Sequence, residues 1–434
     1  KHRRESTCLT KINISLFLKQ VLFKGRYNKM KFENLDLGED LLKTIQTLGY
    51  TEPTEIQEKS IPLIMKRKDV IGESATGSGK TLAFGCGILD QVVPNKGLQA
   101  LVLVPTRELA EQVKDSINEL SERRKIKVIA VYGGVSINPQ MTALKRTEVV
   151  VATPGRLLDH MKQRTIDLSG IKILVLDEAD RMLDMGFVRH VEKIMQSCPK
   201  NRQTLFFSAT IPEEIRRLTN KYMQDPIRIS AKNLVDPSKL KQNYYNAGKG
   251  LKLPLLVNLL KDEKTGLAMI FCNTRISTDF VVRNLRLNGV NALAIHGGLT
   301  QNKRSSMIDS FSNGKVNVLV CTDVASRGLH IDNISHVYNY EIPKDPKDYV
   351  HRIGRTARAG ESGKVVNLIS EHDHESFARV LREYSSFNVE KINTPRLERV
   401  TISKNNNLRE PNGFHRGNDR RNNFRGRDNS RKRW

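Results

Sequence analysis

Short apolar runs that alternate with longer segments of helical periodicity are the feature that most constrains the fold of this chain. From Val70 onward the runs are DVIGES, LQALVLVP, KVIAVYGG, EVVVATP, IKILVLDE and TLFFSAT, and the helical stretch RELAEQVKDSINELSERR separates two of them. Runs such as LVLV and ILVL have no polar alternation, which is typical of strands that are covered on both faces of a parallel sheet. The pattern predicts repeated β-α units and therefore an α/β fold.

The same alternation predicts two domains. It pauses at a polar connector, residues 231–240, and resumes with LAMIFCN, ALAIHGG, VNVLVCTD, SHVYNY and KVVNLIS. Two domains suit a chain of 434 residues, since a domain typically has about 100–200 residues. We expect domains at 32–230 and 241–395, with basic arms at 1–31 and 396–434. Ligands of such sheets bind beyond the carboxyl ends of the strands.

Positive charge is concentrated at the two ends of the chain. The net charge is +25, and residues 1–31 hold nine Lys/Arg against one acid, whereas residues 404–434 hold ten Lys/Arg against three acids. The C-terminal tail is polar and rich in Asn, Arg and Gly, which predicts disorder, and it contains Phe414, Phe424 and Trp434. Because cations attract phosphate and aromatic rings stack on bases, we interpret the tail as a nucleic-acid contact. A solubilising tail without a ligand is the alternative.

Composition also limits where the chain is expected to act. No apolar run approaches the ~18 uncharged residues of a membrane span, since Lys19 interrupts the run near the N-terminus. Five widely spaced cysteines without a Cys-x-x-Cys pair indicate neither a disulfide framework nor a zinc site and favour a reducing, cytoplasmic location. The acid-poor segment before Met30 has the composition of an organelle-targeting peptide, but we expect the native chain to start at Met30.

A phosphate-binding loop is predicted directly after the first strand. The segment is Ala75-Thr76-Gly77-Ser78-Gly79-Lys80-Thr81, and a helical run follows it. Glycines let backbone N–H groups converge on a phosphate at the helix N-terminus, Lys80 places a cation on the outer phosphates, and the Thr81 hydroxyl suits Mg²⁺. A chance glycine-rich turn is the alternative, and Ser74 stands where the strict pattern has glycine.

Carboxylates and arginines complete the predicted ATP site. Asp177 and Glu178 end the apolar run IKILVL, where one carboxylate can hold Mg²⁺ and the other can orient or deprotonate water. Acids placed at a helix N-terminus for dipole reasons alone are the alternative. In the second domain Arg355 and Arg358 are predicted to lie one helical turn apart and to face one phosphoryl group, which would make hydrolysis depend on domain closure. A basic surface helix is the alternative there.

Ten motifs follow one another in order along residues 32–395: GYTEPTEIQ, SATGSGKT, PTRELA, GG, TPGR, DEAD, SAT, QNKR, TDVASRG and HRIGRTAR. Together they resemble the DEAD-box ATP-dependent RNA helicase family. The resemblance implies two tandem RecA-like parallel-sheet domains that use ATP and Mg²⁺. It also implies a monomer that binds single-stranded and short duplex RNA without sequence specificity.

The resemblance implies roles that spacing alone does not assign. Gln57 would read adenine, Phe32 would stack on its ring, and Gly328 would contact the nucleotide. The residues implied to couple the ATP site to RNA are Asp180, Ser208 and Thr210, for which helix capping is the alternative in the case of Ser and Thr. The implied RNA contacts are small and basic residues that can approach a sugar-phosphate backbone: Arg107, Gly133, Gly134, Thr153, Gly155 and Arg156 in the first domain, and Thr274, Arg275, Gln301, Arg304, Thr322 and Arg327 in the second.

The expected activity is RNA-stimulated ATP hydrolysis that is coupled to closure of the two domains on RNA. Closure would unwind short duplexes locally or remodel ribonucleoproteins. An ATP-gated RNA clamp without productive unwinding is the first alternative. A DNA translocase with the same two domains is the second, and the Gln57 segment and the spelling DEAD disfavour it.

Two residues depart from the family pattern. Ala357 stands where glycine is common, and we expect little effect because alanine suits a helix better than glycine does. His330 stands where the family usually has an aspartate that contacts the ATP ribose. An acceptor-only carboxylate is thereby replaced by an imidazole, whose protonation changes near neutral pH.

We expect His330 to weaken the grip on the ribose in the closed state by about one hydrogen bond, ~1 kcal/mol, and to make it depend on pH. His330→Asp should therefore tighten the apparent affinity for ATP in the presence of RNA by about fivefold. Titration of RNA-stimulated ATPase activity with ATP measures this change, and an unaltered affinity would contradict the assignment.

Overall fold

The computed structural model describes residues 30–74, 77–231, 240–248, 250–262, 266–326, 329, 331, 333–357 and 362–403. Some predictions lie outside the described residues. They concern the predicted disorder of the arms before residue 30 and after residue 403, and the assigned residues Ala75, Thr76, Arg327, Gly328, His330 and Arg358.

The first domain is built on a seven-stranded sheet. Its strands are β1 Val70–Glu73, β2 Ala100–Leu103, β3 Val128–Val131, β4 Val149–Ala152, β5 Ile173–Asp177, β6 Gln203–Ser208 and β7 Ile227–Ser230. Its α-helices are α1 Glu39–Thr47, α2 Glu55–Met65, α3 Lys80–Gln91, α4 Arg107–Ser121, α5 Asn138–Leu144, α6 Pro154–Lys162, α7 Ala179–Asp184, α8 Val188–Ser197 and α9 Glu213–Tyr222. The spatial order is β3-β4-β2-β5-β6-β1-β7, and neighbouring strands are parallel.

The second domain has a second seven-stranded sheet. Its strands are β8 Leu240–Asn246, β9 Leu267–Cys272, β10 Ala292–Ile295, β11 Val318–Thr322, β12 Ile334–Asn339, β13 Gly363–Ile369 and β14 Val389–Ile392. Its α-helices are α10 Lys252–Asp262, α11 Arg275–Leu287, α12 Gln301–Ser312, α13 Asp323–Ser326, α14 Pro346–Ile353 and α15 His374–Glu383. The spatial order β10-β11-β9-β12-β13-β8-β14 repeats that of the first sheet when strands are counted from the start of each domain, and neighbouring strands are again parallel.

Each sheet is covered on both faces, which explains the apolar runs without polar alternation. In β2, Ala100 and Val102 join a core with α1 to α4, whereas Leu101 and Leu103 join a core with α6, α8 and α9 on the other face. Successive side chains of a strand point to opposite faces, so a strand covered on both sides needs apolar residues at every position. The prediction of two α/β domains with parallel sheets is confirmed.

Sequence patterning does not predict three of the strands, β7, β8 and β14. β8 has the polar sequence LKQNYYN, yet it lies between β13 and β14. Several of its polar groups are hydrogen-bonded there: the Tyr349 hydroxyl donates to Gln242 Oε1 at 2.9 Å and Asn367 Nδ2 donates to the Asn243 carbonyl at 3.0 Å, whereas Asn243 Oδ1 is buried without a partner among the described residues. Burial of polar groups is tolerated where such bonds exist, and only the folded chain reveals them.

Residues 396–403, which the sequence assigned to the basic tail, pack against the second domain. Leu397 and Val400 contact the apolar core on the face of α10 and α11. Leu240, the last residue of the predicted linker, is the first residue of β8. The packed part of the second domain thus reaches further toward the C-terminus than the expected boundary at 395.

Membrane spans and clustered metal ligands are both lacking in the described part of the chain. Of the helices in these ranges, none has the length and apolar composition to cross a bilayer. Among the same residues, no three His, Cys, Asp or Glu side chains are grouped to hold a metal ion.

A buried ion pair joins the start of α10 to the loop before α15. Lys252 Nζ lies 2.5 Å from Asp373 Oδ2 and donates to the Tyr340 carbonyl at 2.8 Å. Asp373 also accepts from the backbone N–H groups of Ser370 at 2.9 Å and Ile342 at 3.2 Å. Burial acts to raise the pKa of Asp373, but the Lys252 and Ser370 contacts outweigh it and hold that pKa below its ordinary value.

Asp373→Asn should destabilise the second domain by about 3–5 kcal/mol, because it leaves the Lys252 charge buried without its partner. The depressed pKa adds a pH dependence to the parent chain. The stabilisation that the ionised Asp373 contributes is complete above the ordinary aspartate pKa of 3.8 and is lost as the pH falls through the lower folded-state pKa. Urea unfolding of the second-domain transition, repeated from about pH 3 to about pH 7, measures both effects.

The control is Glu192→Gln, which breaks the exposed 2.6 Å pair between Lys221 and Glu192. Surface pairs contribute little, so this variant should change the free energy of unfolding by less than about 1 kcal/mol. Equal losses in the two variants would contradict a structural role for the buried pair.

Candidate functional site

The carboxyl edge of the first sheet divides into two halves with different candidate residues. The phosphate loop follows β1, Asp177 ends β5 and Ser208 ends β6, and these three strands are neighbours. Arg107 follows β2, the glycine pair 133–134 follows β3 and Thr153 follows β4, and these strands are neighbours as well. The strand order therefore separates the candidate nucleotide residues from the candidate RNA residues.

The second sheet repeats this division. Candidate RNA residues follow β10, β11 and β9, which are adjacent: Gln301 and Arg304 on α12, Thr322 at the end of β11, and Thr274 and Arg275 at the start of α11. The arginine motif follows β12 through α14, on the other side of β9. Both domains thus have an RNA half and a nucleotide half at their carboxyl edges.

The phosphate loop is shaped by its glycines and by a serine at the end of β1. Gly77 and Gly79 have φ angles of +82° and +90°, which glycine adopts without strain. The Ser74 N–H donates to the Ser208 carbonyl at 2.9 Å, and the Ser78 hydroxyl donates to the Ser74 hydroxyl at 3.0 Å. Ser74, which replaces the glycine of the strict pattern, therefore tethers the loop to β6.

Lys80, Asp177 and Thr81 provide the groups for a phosphate-bound metal. Lys80 Nζ donates to the Ser74 carbonyl at 3.1 Å and lies 3.9 Å from Asp177 Oδ1, with both side chains buried. Burial raises the pKa of Asp177 to about 6, because the nearby Lys80 charge offsets only part of the desolvation. A divalent cation held by Asp177 and the hydroxyl of Thr81, the second residue of α3, would supply the missing positive charge. These residues therefore fit Mg²⁺.

Glu178 is held in an unusual backbone conformation beside Asp177. Its φ is +51°, in the left-handed region, at the start of α7. Such a conformation costs a non-glycine residue about 1–2 kcal/mol and is concentrated at functional sites. Its Oε2 lies 3.4 Å from Nε of Arg181, and both side chains are buried. A fixed carboxylate next to the metal ligand suits the orientation of an attacking water.

Asp180 links the DEAD segment to the SAT segment, as predicted for the coupling residues. Its Oδ2 accepts from the N–H of Thr210 at 2.9 Å and from the Thr210 hydroxyl at 3.1 Å. The Asp180 N–H donates to the Ser208 hydroxyl at 3.1 Å, so Ser208 also caps the first turn of α7, in line with the alternative reading. Since the Ser208 carbonyl accepts a hydrogen bond from the Ser74 N–H, one chain of hydrogen bonds joins the phosphate loop to Thr210.

Gln57 and Phe32 are both engaged within the first domain. Gln57 Oε1 accepts from the Thr54 N–H at 2.9 Å, and its Nε2 donates to the Gly79 carbonyl at 2.9 Å. Each amide atom retains one further hydrogen-bonding site, so adenine recognition by Gln57 stays a prediction. Phe32 is 2% exposed and belongs to the apolar core. Stacking on adenine, also a prediction, would require its ring to be uncovered.

The candidate RNA residues of the first domain lie close together. A Cβ at Gly134 would come within 2.0 Å of Arg107 Nη1, and one at Gly133 would lie 4.0 Å from Arg156 Nη2. Arg156 Nη2 itself donates to the Val135 carbonyl at 2.9 Å. Absence of a side chain at Gly134 thus lets Arg107 approach the loop, whereas a side chain at Gly133 would make only ordinary contact with Arg156. Thr153 and Gly155 stand at the start of α6, beside Arg156.

The Glu108 side chain contacts the second domain across the cleft between the two domains. Its Oε1 accepts from Gln301 Nε2 at 3.2 Å and lies 3.0 Å from Arg304 Nη2. Gln301 and Arg304 therefore contact the first domain here, and their RNA role stays a prediction. Sequence reasoning passed over Glu108, although an acid inside the otherwise apolar and basic motif PTRELA is a signal that could have identified it.

A small interdomain cavity brings the arginine motif to the DEAD segment. The first domain contributes Arg181, three residues beyond Glu178, and the second contributes Asp323, Ser326, Asp348, His351, Arg352 and Arg355. Arg355 is 3% exposed, and its Nη1 donates to the Leu329 carbonyl. The structure thus places Arg355 of the second domain and Arg181 of the first domain, which follows the DEAD segment, around one cavity.

The local form of the arginine motif differs from the prediction. α14 ends at Ile353, and Arg355 lies in the turn that follows and not on the predicted helix, whereas Arg358 lies outside the described residues. Ala357 has φ +55°, in the left-handed region. The expectation that alanine is favoured there because it suits a helix was wrong, since this φ costs an L-residue about 1–2 kcal/mol.

Arg352 supports the arginine motif and was not assigned by sequence reasoning. Its Nε and Nη2 bind both oxygens of Asp323 at 2.6 and 2.7 Å. Nη1 donates to Asn339 Oδ1 at 3.1 Å and to the Glu341 carbonyl at 2.6 Å, and Nη2 also donates to Asn273 Oδ1 at 2.9 Å. All five N–H donors of the guanidinium are used, which ties the ends of β9, β11 and β12 together. Arg352, the first of the three arginines of HRIGRTAR, was the available signal.

Comparison with known proteins matches both domains. A family model described as DEAD/DEAH box helicase matches residues 54–218, and one described as Helicase conserved C-terminal domain matches residues 251–360. The ATP-dependent RNA helicase CshA of Listeria monocytogenes is 42% identical over 369 residues, which are 84% of this chain and 71% of that protein.

Two solved structures can be superposed on both domains of this chain. S. cerevisiae Dbp5 bound to RNA and ADP BeF3 superposes with a TM-score of 0.77 at 30% identity, covering 84% of this chain and 96% of that one. A DEAD box protein from the hyperthermophile Methanococcus jannaschii superposes with a TM-score of 0.52 at 39% identity, covering 84% and 99%. The Dbp5 structure thus superposes better on this chain than the Methanococcus jannaschii protein does, although its sequence identity is lower.

Gly79→Ala should disrupt the phosphate loop. A Cβ there would come within 2.3 Å of Gln57 Nε2, and φ +90° strains any L-residue. We expect the affinity for a fluorescent ATP analogue to fall at least about tenfold, which corresponds to ~1.4 kcal/mol. Gly49→Ala is the matched control, because Gly49 has φ +82° but no atom within 4 Å of the added Cβ. The control should lose ~1 kcal/mol of stability and keep its nucleotide affinity. Equal affinities of the two variants would refute the loop geometry.

Proposed function

The chain belongs to the DEAD-box RNA helicase family, and on that premise we propose that it closes its two domains over ATP·Mg²⁺ and single-stranded RNA, unpairing short duplexes locally or remodelling ribonucleoproteins. The observation that carries the proposal is that Arg355 and Arg181, the residue directly after the DEAD segment, line one interdomain cavity. Neither domain alone contains both the water-orienting carboxylate and the arginine motif.

In the proposed reaction, residues of both domains act on the γ-phosphate. Mg²⁺, when bound, would neutralise charge on the phosphate oxygens. Lys80 would add a cation on the outer phosphates, and Glu178 would orient the attacking water. Arg355, with Arg358 beside it in the sequence, would stabilise the negative charge of the transition state, a contribution worth ~10³–10⁵ in rate for an arginine finger. Hydrolysis would therefore depend on closure.

Closure explains why RNA would stimulate hydrolysis. The RNA halves of both carboxyl edges lie next to the nucleotide halves, so one closed arrangement completes both sites. A ligand that binds the closed state better shifts the equilibrium toward it and favours binding of the other ligand by the same factor. The bonds of Asp180 to Thr210 and of Glu108 to Arg304 are proposed to transmit this coupling.

RNA contacts of this kind would not read bases. The candidate groups are guanidinium, hydroxyl and glycine backbone positions, which suit phosphate and ribose. Selection of RNA over DNA, action as a monomer and a cytoplasmic location remain predictions. An ATP-gated RNA clamp stays as the second candidate, since the cleft contacts support closure on RNA as such and not strand separation.

The first experiment measures ATPase activity with no nucleic acid, with single-stranded RNA and with single-stranded DNA. RNA should stimulate the wild-type enzyme and DNA should not. Glu178→Gln should lower the RNA-stimulated rate by about 10²–10⁴, because an amide cannot accept a proton from water, while ATP affinity is retained. Glu213→Gln, an exposed glutamate at the start of α9, is the matched control and should leave the rate unchanged. Stimulation by DNA equal to that by RNA would exclude the proposed specificity.

The second measurement separates the helicase from the clamp. Release of a labelled strand from short RNA duplexes, blunt and tailed, is followed with ATP and with a non-hydrolysable analogue. Strand release that depends on ATP supports unwinding. RNA-stimulated hydrolysis and ATP-dependent RNA retention without strand release would assign the clamp.

A further inference from the structure

Residues 397–403 form an extended segment, here called the strap, that lies on the outer face of α10 and α11. Leu397 and Val400 pack against the core of that face, whereas Ile402 is 42% exposed. The strap has no regular secondary structure, and side chains bind its backbone. Its last residue, Ser403, immediately precedes the basic tail, residues 404–434.

Three asparagines bind the strap backbone. Asn288 Oδ1 accepts from the Thr401 N–H at 2.9 Å, and its Nδ2 donates to the Thr401 carbonyl at 2.9 Å. Asn284 repeats this pair on Ser403, at 2.7 Å and 3.3 Å. Asn258 of α10 accepts from the N–H of Glu398 at 3.0 Å. We call these three side chains the asparagine ladder.

The spacing of the ladder matches an extended chain. Asn284 lies on α11, and Asn288 directly follows its last residue, Leu287, so the two are four residues apart, a rise of ~6 Å along a helix. Thr401 and Ser403 are two residues apart on the strap, ~6.6 Å in an extended chain. Each amide therefore meets one strap residue as a neighbouring β-strand would, without a sheet being present.

The helix also holds each amide in place. Asn284 Nδ2 donates to the Phe280 carbonyl at 2.8 Å, and Asn288 Nδ2 donates to the Asn284 carbonyl at 2.7 Å. Asn258 Nδ2 likewise donates to the Pro254 carbonyl at 2.7 Å. The amides are thereby oriented before the strap binds, and since they contact only backbone groups, they fix the path of the strap rather than select its side chains.

The path of the strap leads toward the candidate RNA edge. Because Thr401 faces Asn288 and Ser403 faces Asn284, the strap runs antiparallel to α11, toward the helix N-terminus. That N-terminus carries Thr274 and Arg275. Nine helical residues, ~14 Å, separate Asn284 from Arg275. About four extended residues beyond Ser403 cover that distance.

We propose that the asparagine ladder directs the basic tail onto RNA at the edge of the second domain, where the tail adds sequence-independent phosphate and stacking contacts. The tail has ten Lys/Arg against three acids, and Phe414, Phe424 and Trp434 are spaced through it. Cationic chains with interspersed aromatic residues bind single-stranded nucleic acid without reading sequence. Asn258, Asn284 and Asn288 are positioning residues in this arrangement. The inference rests on the proposed function, because it takes RNA to be the ligand of that edge.

The test uses two neighbouring proline variants of the full chain. Thr401→Pro removes the N–H that Asn288 binds, whereas Ile402→Pro removes an N–H outside the ladder at an exposed position. Both prolines favour extended backbone, so they differ mainly in the ladder. Asn288→Ala breaks the same contact from the helix side. Each variant is also made in a chain that lacks residues 404–434. The probe is a fluorescently labelled single-stranded oligouridylate, and thermal unfolding checks that each variant folds.

Release of the ladder contacts of Asn284 and Asn288 lengthens the tether to the RNA edge from about four to about nine residues, which lowers the effective concentration of the tail about threefold. Thr401→Pro and Asn288→Ala each remove the contact at Thr401 and leave Asn284 on Ser403, so each should weaken RNA binding by up to about threefold in the full chain, and Ile402→Pro should not. Deletion of 404–434 should weaken binding further and reduce the logarithmic salt slope by ~0.7 for each lost phosphate contact. In the deleted chain the Thr401→Pro and Ile402→Pro variants should bind alike.

Steady-state ATPase kinetics distinguish a loss of tail positioning from a general loss of enzyme function. Thr401→Pro should raise the RNA concentration for half-maximal ATPase activity by up to about threefold and leave kcat at saturating RNA unchanged. Identical RNA affinities of the Thr401→Pro and Ile402→Pro full chains would overturn the proposal. So would a loss in Thr401→Pro that persists after the tail is deleted, or an unchanged salt slope on deletion. Failure of the proposed function would look different: RNA would then not stimulate the wild-type ATPase at all.

Discussion

An identical strand order in two sheets is the constraint on which the rest of the structure depends. Each order places three adjacent strands with candidate RNA residues on one side and the strands with candidate nucleotide residues on the other. When the two carboxyl edges face one cleft, like halves meet. In the proposed function, closure would complete a nucleotide site and an RNA site together, which would couple the two ligands.

The repeat also explains why one domain carries the phosphate loop. Lys80 and Lys252 are each the first residue of the helix that follows the first strand of their sheet. Lys80 is 3.9 Å from the nearest carboxylate oxygen, that of Asp177, whereas Lys252 is 2.5 Å from Asp373. The Lys252 charge is neutralised inside its own domain, so the same topological position became structural there, and the cation at Lys80 stays available for phosphate.

A buried polar network supports the cleft from inside the second domain. Arg352 bonds Asn339, whose Nδ2 donates to Asn367 Oδ1 at 2.8 Å. Asn367 Nδ2 donates to the Tyr349 hydroxyl at 3.1 Å, which donates in turn to Gln242 of β8. The network therefore crosses four elements of the domain. Satisfied networks of this kind hold side chains in one arrangement, whereas the loss of one member would leave its neighbours buried without a hydrogen bond.

Local sequence pattern was enough to predict the α/β class and the two domains. It also predicted the phosphate loop, the DEAD carboxylates and the position of these groups directly after strands. These features could be predicted because apolar periodicity and glycine spacing are encoded over a few residues. Local sequence pattern did not reveal β8, Glu108 or the strap. The stabilising partners of these features are distant in sequence, with Glu108 and Gln301 separated by 193 positions and Asn284 and Ser403 by 119. Ala357 shows the same limit, since its left-handed φ follows from the turn between α14 and β13 and not from its own preference. The sequence by itself determined which chemical groups are present and which strand each one follows. Only the tertiary structure decided which of them meet, because a polar side chain is stabilised by whichever group the fold brings within hydrogen-bonding distance.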